Sequence, residues 1–131
     1  WKLIPVSPSM LDGKAHFDFG AQLKRVLHAE QERVVLIASA DFSHKLGADS
    51  PGGASTEGPL FDQTMRNAID SHDAKPLIDL DLNIVDNAGQ CAYRPITTLL
   101  GALDGMNIKQ KTLCYEAPFG VGYLTARYDI V

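Results

Sequence analysis

The sequence predicts an α/β domain with three layers, α/β/α, around a mostly parallel or mixed central sheet, of which this chain carries a part. Two observations lead there. Val34-Val35-Leu36-Ile37-Ala38 is an unbroken apolar run rich in β-branched residues, the pattern of a strand buried on both faces of a parallel sheet. A helix-period stretch and an earlier short apolar run precede it, so strand, helix and strand would form a right-handed βαβ unit.

The earlier run is Lys2-Leu3-Ile4-Pro5-Val6, a strand through about Val6 in which Pro5 marks an edge or a bulge. The chain opens at Trp1, without an initiator methionine, directly into this strand, which we read as the mark of a fragment or processed chain. Ser7-Pro8-Ser9 leaves the sheet. From Asp18 to about Glu30, Phe19, Leu23, Val26 and Leu27 share one face while Gln22, Lys24 and Arg25 point to water, as in a crossover helix. His28 falls in its last turn, where an imidazolium complements the helix dipole. His16 reads as a surface residue.

The run at Val34 halts abruptly at Asp41-Phe42-Ser43-His44. In open α/β sheets ligands bind outside the carboxyl ends of the strands, and Asp41, Ser43 and His44 fall at such an end. An Asp-x-Ser-His can equally start a turn or cap a short helix. Residues 45–58 then form a stretch too rich in Gly, Ser and Pro for regular structure, expected to be a mobile flap beside His44 or plain disorder. It lacks the Gly-Lys-Ser/Thr ending of a phosphate-binding loop. Pro59 begins a helix with an apolar stripe of Phe61, Met65, Ala68 and Ile69, in which Met65 is core. His72 lies near its end, solvated or stabilised by the dipole, and residues 76–82 suggest a second, short helix.

Residues 86–95, Asp86-Asn87-Ala88-Gly89-Gln90-Cys91-Ala92-Tyr93-Arg94-Pro95, lead into another helix, because Ile96, Leu99, Leu100 and Leu103 repeat at the helical period and Gly105 suits its end. Cys91 sits just before or within the first turn. Helix N-termini favour the thiolate, so Cys91 could be a ligand or nucleophile, or it could simply pack. Cys114, inside the strand expected from Ile108 to Tyr115, is expected to pack. The chain closes with a strand, a tight turn and another strand, with Glu116 at the turn facing solvent rather than the crevice.

At 131 residues the chain can form one compact domain, and 45% hydrophobic content without a long apolar run excludes a spanning helix. A net charge of −4 with scattered basic residues gives no footprint for nucleic acid or an anionic membrane. Two cysteines far apart make neither a disulfide framework nor a closed zinc site, which fits a reducing cytoplasm.

Three stretches resemble one known family. Ser39-Ala40-Asp41-Phe42-Ser43-His44 is similar to the Ser-Ser/Thr-Asp-Phe/Leu-Ser/Cys-His segment of Memo-like proteins and the wider class III extradiol ring-cleavage dioxygenase superfamily, whose catalytic subunit is called LigB. Residues 88–95, followed by Leu99-Leu100-Gly101-Ala102-Leu103, resemble the Cys-Gly-x-x-Pro helix of those proteins, and Gly120-Val121-Gly122-Tyr123 resembles their final strand. The match runs from about Ser39 to Val131 and concerns the carboxy-terminal half of the family domain.

In the ring-cleaving members a non-haem Fe(II) is held by two histidines and a carboxylate, leaving positions for a catecholate and O2. The resemblance assigns His44 to the acid/base histidine, Asp41 to its pocket neighbour, Ser43, Tyr93 and Arg94 to the substrate, and Cys91 to the thiol that lines the metal pocket. An imidazole, with an ordinary pKa of about 6.5, can take and return a proton near neutral pH. The paired histidine ligands belong to the family's amino-terminal half, and His16, His28 and His72 lack their context, so this chain alone is not expected to hold a catalytic iron. A soft thiolate in the carboxylate's place shifts preference toward copper or zinc, with Asp86 or Glu116 as other sources of the third ligand.

Two functions are therefore expected. One is an Fe(II)-dependent dioxygenase acting on an aromatic vicinal diol and O2, incomplete without the missing amino-terminal half and possible as a homo-oligomer. The other is a Memo-like protein that binds a metal or a partner without ring cleavage. A plain α/β interaction domain would gain if His44 and Cys91 lay far apart.

Overall fold

The computed structural model describes residues 2–131. Trp1 lies outside them. Helix α1, Gly13–Ala29, begins well before the periodic stretch at Asp18, because Asp12 caps it by accepting the Ala15 N–H at 2.9 Å. Helix α5, Tyr93–Leu103, starts where Gln90 Oε1 accepts the Tyr93 N–H at 2.8 Å, and Gly105 follows its end with φ +69°. These two helices cross with their backbones in contact. A Cβ on Gly20 would overlap the Thr98 carbonyl oxygen and lie 2.8 Å from the Ala102 nitrogen, while one on Gly101 would overlap the Phe17 carbonyl.

Helix α2, Glu57–Ser71, buries the predicted stripe of Phe61, Met65, Ala68 and Ile69 and ends at His72, which takes the left-handed conformation at φ 54°. The one short helix expected over 76–82 is two, α3 at Lys75–Ile78 and α4 at Leu82–Asn87. Asp81 makes the break by capping the second of them, accepting the Asn83 N–H at 2.9 Å. Tyr93, Leu77, Val85 and Leu100 join the α2 stripe in the core.

Strands β1, Ile108–Glu116, and β2, Tyr123–Ile130, pair antiparallel around a short 3-10 turn at Pro118–Gly120, as the sequence predicts. Thr112 faces Ala126 and Cys114 faces Thr125, so Leu113 is a bulge residue. Up to the bulge the inward positions are Ile108, Gln110 and Thr112; beyond it the inward position is Tyr115. Cys114 is consequently exposed, against the expectation that it packs.

The architecture is thus a mixture of α and β, and the described residues contain one sheet, this antiparallel pair. The expected strands at Lys2–Val6 and Val34–Ala38 do not form, and neither does the βαβ unit. Both segments lack ladder partners, and Val35 and Ile37 are 72% and 75% exposed. A run apolar on both sides becomes a strand when neighbours satisfy its backbone and cover both faces; here α1 and α5 offer cover on one side, across a cleft that includes Phe19, Leu36, Ile37 and Leu99. A second groove, of about 750 Å³, also borders the run and reaches from α1 and α5 to Leu124, Ala126 and Tyr128 of β2. No helix of the described residues is long and apolar enough to cross a membrane.

Candidate functional site at the Asp41–His44 and Ala88–Cys91 loops

Where the Val34 run ends, its backbone turns onto the start of β2. The Phe42 N–H donates to the Gly122 carbonyl and the Gly122 N–H to the Ser43 carbonyl, each at 2.9 Å. Phe42 anchors the turn, packing edge-on against Phe61 at 6.4 Å and tilted against Tyr115 at 6.1 Å. These contacts fix residues 41–44 over the core.

The Ala88–Cys91 loop is zipped to that turn residue by residue. The Cys91 N–H donates to the Asp41 carbonyl at 3.2 Å, the Asp41 N–H to Cys91 Sγ at 3.1 Å, the His44 N–H to the Gly89 carbonyl at 3.1 Å, and Ser43 Oγ to the Ala88 carbonyl at 2.8 Å. Two segments some fifty residues apart are joined into one rim that carries the His44 imidazole, the Asp41 carboxylate and the Cys91 thiol. His44 Nε2 is buried without a hydrogen-bond partner, and the nearest anion is Asp41 Oδ2 at 3.5 Å, an ion-pair distance when the ring is protonated. His72 Nδ1 is likewise buried and unpartnered; what sets His44 apart is the carboxylate and the thiol on the same rim, and an imidazole nitrogen without a partner can exchange a proton with a molecule admitted to it.

The other predicted site residues lie elsewhere or are already engaged. Ser43 is fully buried, its hydroxyl donating to Ala88 and accepting the Lys45 N–H at 3.0 Å. The Tyr93 hydroxyl is equally enclosed and donates to the Leu77 carbonyl at 3.0 Å. Arg94 donates to the Leu11 carbonyl at 3.3 Å. Both hydroxyls therefore brace the fold. Cys91 is exposed, as are Asp86 and Glu116.

His16, expected at the surface, is 5% exposed, with Nδ1 2.8 Å from the Asp12 carbonyl and Nε2 3.4 Å from Ser9 Oγ. It braces the start of α1. His72 caps α2, half-buried, with Nε2 3.3 Å from the Leu103 carbonyl. His28 stands exposed in the last turn of α1.

The stretch expected to be a flap or disordered is instead tied down. Leu46 bridges Ala54, the Ser55 N–H donates to Lys45, the Gly52 N–H to His44, and Ser50 Oγ accepts from Gly47 and donates to Gly120. Its Gly, Ser and Pro residues make turns rather than a mobile tether.

One acid was not found from the sequence. Asp62, buried on α2, accepts the Ser43 N–H at 2.8 Å on Oδ1 and the Tyr115 hydroxyl at 2.6 Å on Oδ2. Burial pushes its carboxyl above the ordinary range, against the opposing pull of those two bonds and of Arg66. Burial and the neighbouring carboxylate likewise raise the Tyr115 phenol. The available signal was an acid adjoining the apolar stripe of Phe61, Met65, Ala68 and Ile69.

Among the described residues no three His, Cys, Asp or Glu side chains converge to hold a metal ion. Two histidines and a carboxylate would be needed for a non-haem iron. One imidazole, one carboxylate and one thiol along a rim do not make that set, so the chain's own residues fit such a metal only as part of a larger wall.

The family model of the catalytic LigB subunit of aromatic ring-opening dioxygenase matches residues 2–126. A protein of Clostridium acetobutylicum is 33% identical over 123 residues, covering 94% of this chain and 26% of that protein. MEMO1 family proteins from two strains of Methanococcus maripaludis are 25% and 24% identical over 120 residues, covering 92% of this chain and 39% of each. The chain thus spans between a quarter and two fifths of the length of these curated relatives.

Proposed function

The chain belongs to the family of the catalytic LigB subunit of aromatic ring-opening dioxygenases, and from that premise we propose that it forms the carboxy-terminal part of an extradiol ring-cleavage dioxygenase-like protein. Its substrates would be an aromatic vicinal diol and O2. The observation that carries this is the His44 ring: Nε2 is buried, lacks a hydrogen-bond partner and stands 3.5 Å from the Asp41 carboxylate on a rim shared with Cys91. In this role His44 takes a proton from a diol hydroxyl and returns it later in the reaction, while Asp41 balances the charge on the ring.

The metal belongs to the same proposal. Fe(II), or copper or zinc if Cys91 binds it, would need donors beyond those of this chain, and we assign them to the amino-terminal half of the domain. That half would also supply the strands that pair with Lys2–Val6 and Val34–Ala38, completing a three-layer fold with a largely parallel sheet. Two free cysteines support a cytoplasmic setting.

A second reading is favoured by a specific feature. Cys91 presents an exposed thiol beside Asp41, and two of the relatives are MEMO1 family proteins. A Memo-like protein would use that rim to bind a metal or a partner without cleaving rings.

The test uses the polypeptide at its natural length. Bound iron and copper are measured, and O2 uptake is followed with a panel of catechols for the wild type and His44→Ala. The dioxygenase reading expects iron-dependent uptake that falls about a hundredfold or more in the variant while its metal content is retained. Metal bound without uptake supports the second reading.

A further inference from the structure

Asp62 has no part in the proton chemistry just described, yet it joins three elements beside it. From α2 it accepts the backbone N–H of Ser43, the residue before His44, and the hydroxyl of Tyr115 on β1. A Cβ on Gly122, at the entry to β2, would collide with the same carboxylate. The Arg66 guanidinium, one turn further along α2, lies 4.3 Å over the Tyr115 ring and holds that phenol from its other side.

With Asp62 in place every polar group of Ser43 is occupied: N–H to Asp62, carbonyl to Gly122, hydroxyl to Ala88 and Lys45. The residue has no remaining freedom, and the direction in which the chain delivers His44 follows from it. Of these four contacts the one to Asp62 alone is made through an ionisable side chain, the other three being to backbone groups, and bonds to an ionised acceptor are the stronger kind.

We propose that Asp62 is a positioning residue for His44: by clamping the Ser43 amide to α2 and to the β1–β2 hairpin, it holds the imidazole with Nε2 shielded from bulk water. A consequence for turnover would rest on the proton role given to His44 above; the orientation itself does not. Loss of Asp62 loosens the rim locally, and the shielded nitrogen becomes reachable.

Acylation of histidines by diethyl pyrocarbonate, read peptide by peptide by mass spectrometry on the natural-length protein, follows the accessibility of the His44 ring, which is partly exposed with Nε2 turned inward, and so registers a loosening of the rim as a rise in rate. Asp62→Ala is expected to raise the rate at His44 about tenfold or more, whereas His16 and His72, which brace other parts of the fold, keep their wild-type rates. Asp62→Asn retains an oxygen for the Ser43 N–H and is expected to hold His44 within about twofold of wild type. An unchanged rate at His44 in the alanine variant, or a rise shared equally by His16 and His72, overturns the assignment, as does an asparagine variant as reactive as alanine. Should Asp62→Ala fail to fold, amide hydrogen exchange in the unsubstituted protein decides: the Ser43 amide should be strongly protected, and exchange as fast as at an exposed loop amide overturns the clamp. None of these measurements reads ring cleavage, so a catalytically silent protein leaves the test intact.

Discussion

Gly20→Ala pits two opposing effects of known size against each other. Within a helix alanine is favoured over glycine by about 1 kcal/mol, so on propensity alone the change at this α1 position would stabilise. The new methyl, however, would meet backbone of α5 on every side: the Thr98 carbonyl oxygen, the Ala102 nitrogen at 2.8 Å and the Gly101 carbonyl carbon at 3.0 Å. Backbone cannot rotate out of the way. Relief requires the two helices to separate, and overpacking of this kind costs about 1–3 kcal/mol, with the upper end expected where no side chain can yield. The net loss is therefore about 2 kcal/mol, which lowers the urea midpoint by about 1 M for a typical denaturant slope of about 2 kcal/mol per M. Gln22→Ala, on the solvent side of the same helix, should stay within about 0.5 kcal/mol of wild type. Gly105→Ala has open space around the added carbon and pays for φ +69° alone, about 1 kcal/mol. A midpoint unchanged or raised by Gly20→Ala would refute the backbone contact between α1 and α5.

Three further outcomes are expected. Tyr93→Phe removes one donor from the Leu77 carbonyl, which keeps the Leu80 N–H at 3.3 Å, and should lower stability by about 0.5–1.5 kcal/mol in urea unfolding, with far-ultraviolet dichroism unchanged. Both thiols should react with Ellman's reagent in the native protein, because Cys91 and Cys114 are exposed; a native count of one, with the unlabelled residue identified as Cys114 by peptide mass spectrometry, would show that the hairpin buries it. For Asp62 the folded protein holds its proton more tightly than the unfolded chain, so its contribution is complete below the ordinary carboxylate pKa and is lost as pH rises from about pH 4 through the raised folded value. Asp62→Asn should remove that downward slope from a plot of stability against pH. Glu57, lowered by backbone hydrogen bonding at the start of α2, acts in the opposite sense, but it is exposed to solvent screening and should not mask the change.

The elements legible in the sequence were those whose signals are local. Ile96, Leu99, Leu100 and Leu103 announced α5, Phe61 through Ile69 announced α2, and the turn before Gly120 announced the hairpin. The misread elements depend on something distant. Val34–Ala38 has a strand's composition, but a strand is a relation between segments, and no described segment pairs with it. His16 looked like a surface residue because the cap at Asp12, which draws it under α1, is a three-dimensional contact rather than a periodic one. At the site, residue chemistry alone drew attention to Asp41, His44 and Cys91, and folding does bring their loops together. The sequence could not tell that Ser43 and Tyr93 would spend their hydroxyls inside the protein, since a hydroxyl's partner is chosen by packing. Nor could it separate the acid at position 62 from the solvent-facing acids of the same helix.

The extra residue at Leu113 has an effect out of proportion to its size. A strand's side chains alternate like the teeth of a zip, and one surplus tooth exchanges inside for outside from that point onward. Were Leu113 to pair in regular alternation instead of bulging, the thiol at 114 would turn inward and the phenol at 115 would swing into water, out of reach of the Asp62 carboxylate. The hairpin therefore reads in two frames: a one-residue deletion at Leu113 would leave Thr112 inward, Cys114 outward and Tyr115 inward with their partners on β2 unchanged, so it is the bulge, and not the identity of residue 113, that accommodates the surplus residue while the strand still delivers its phenol to Asp62.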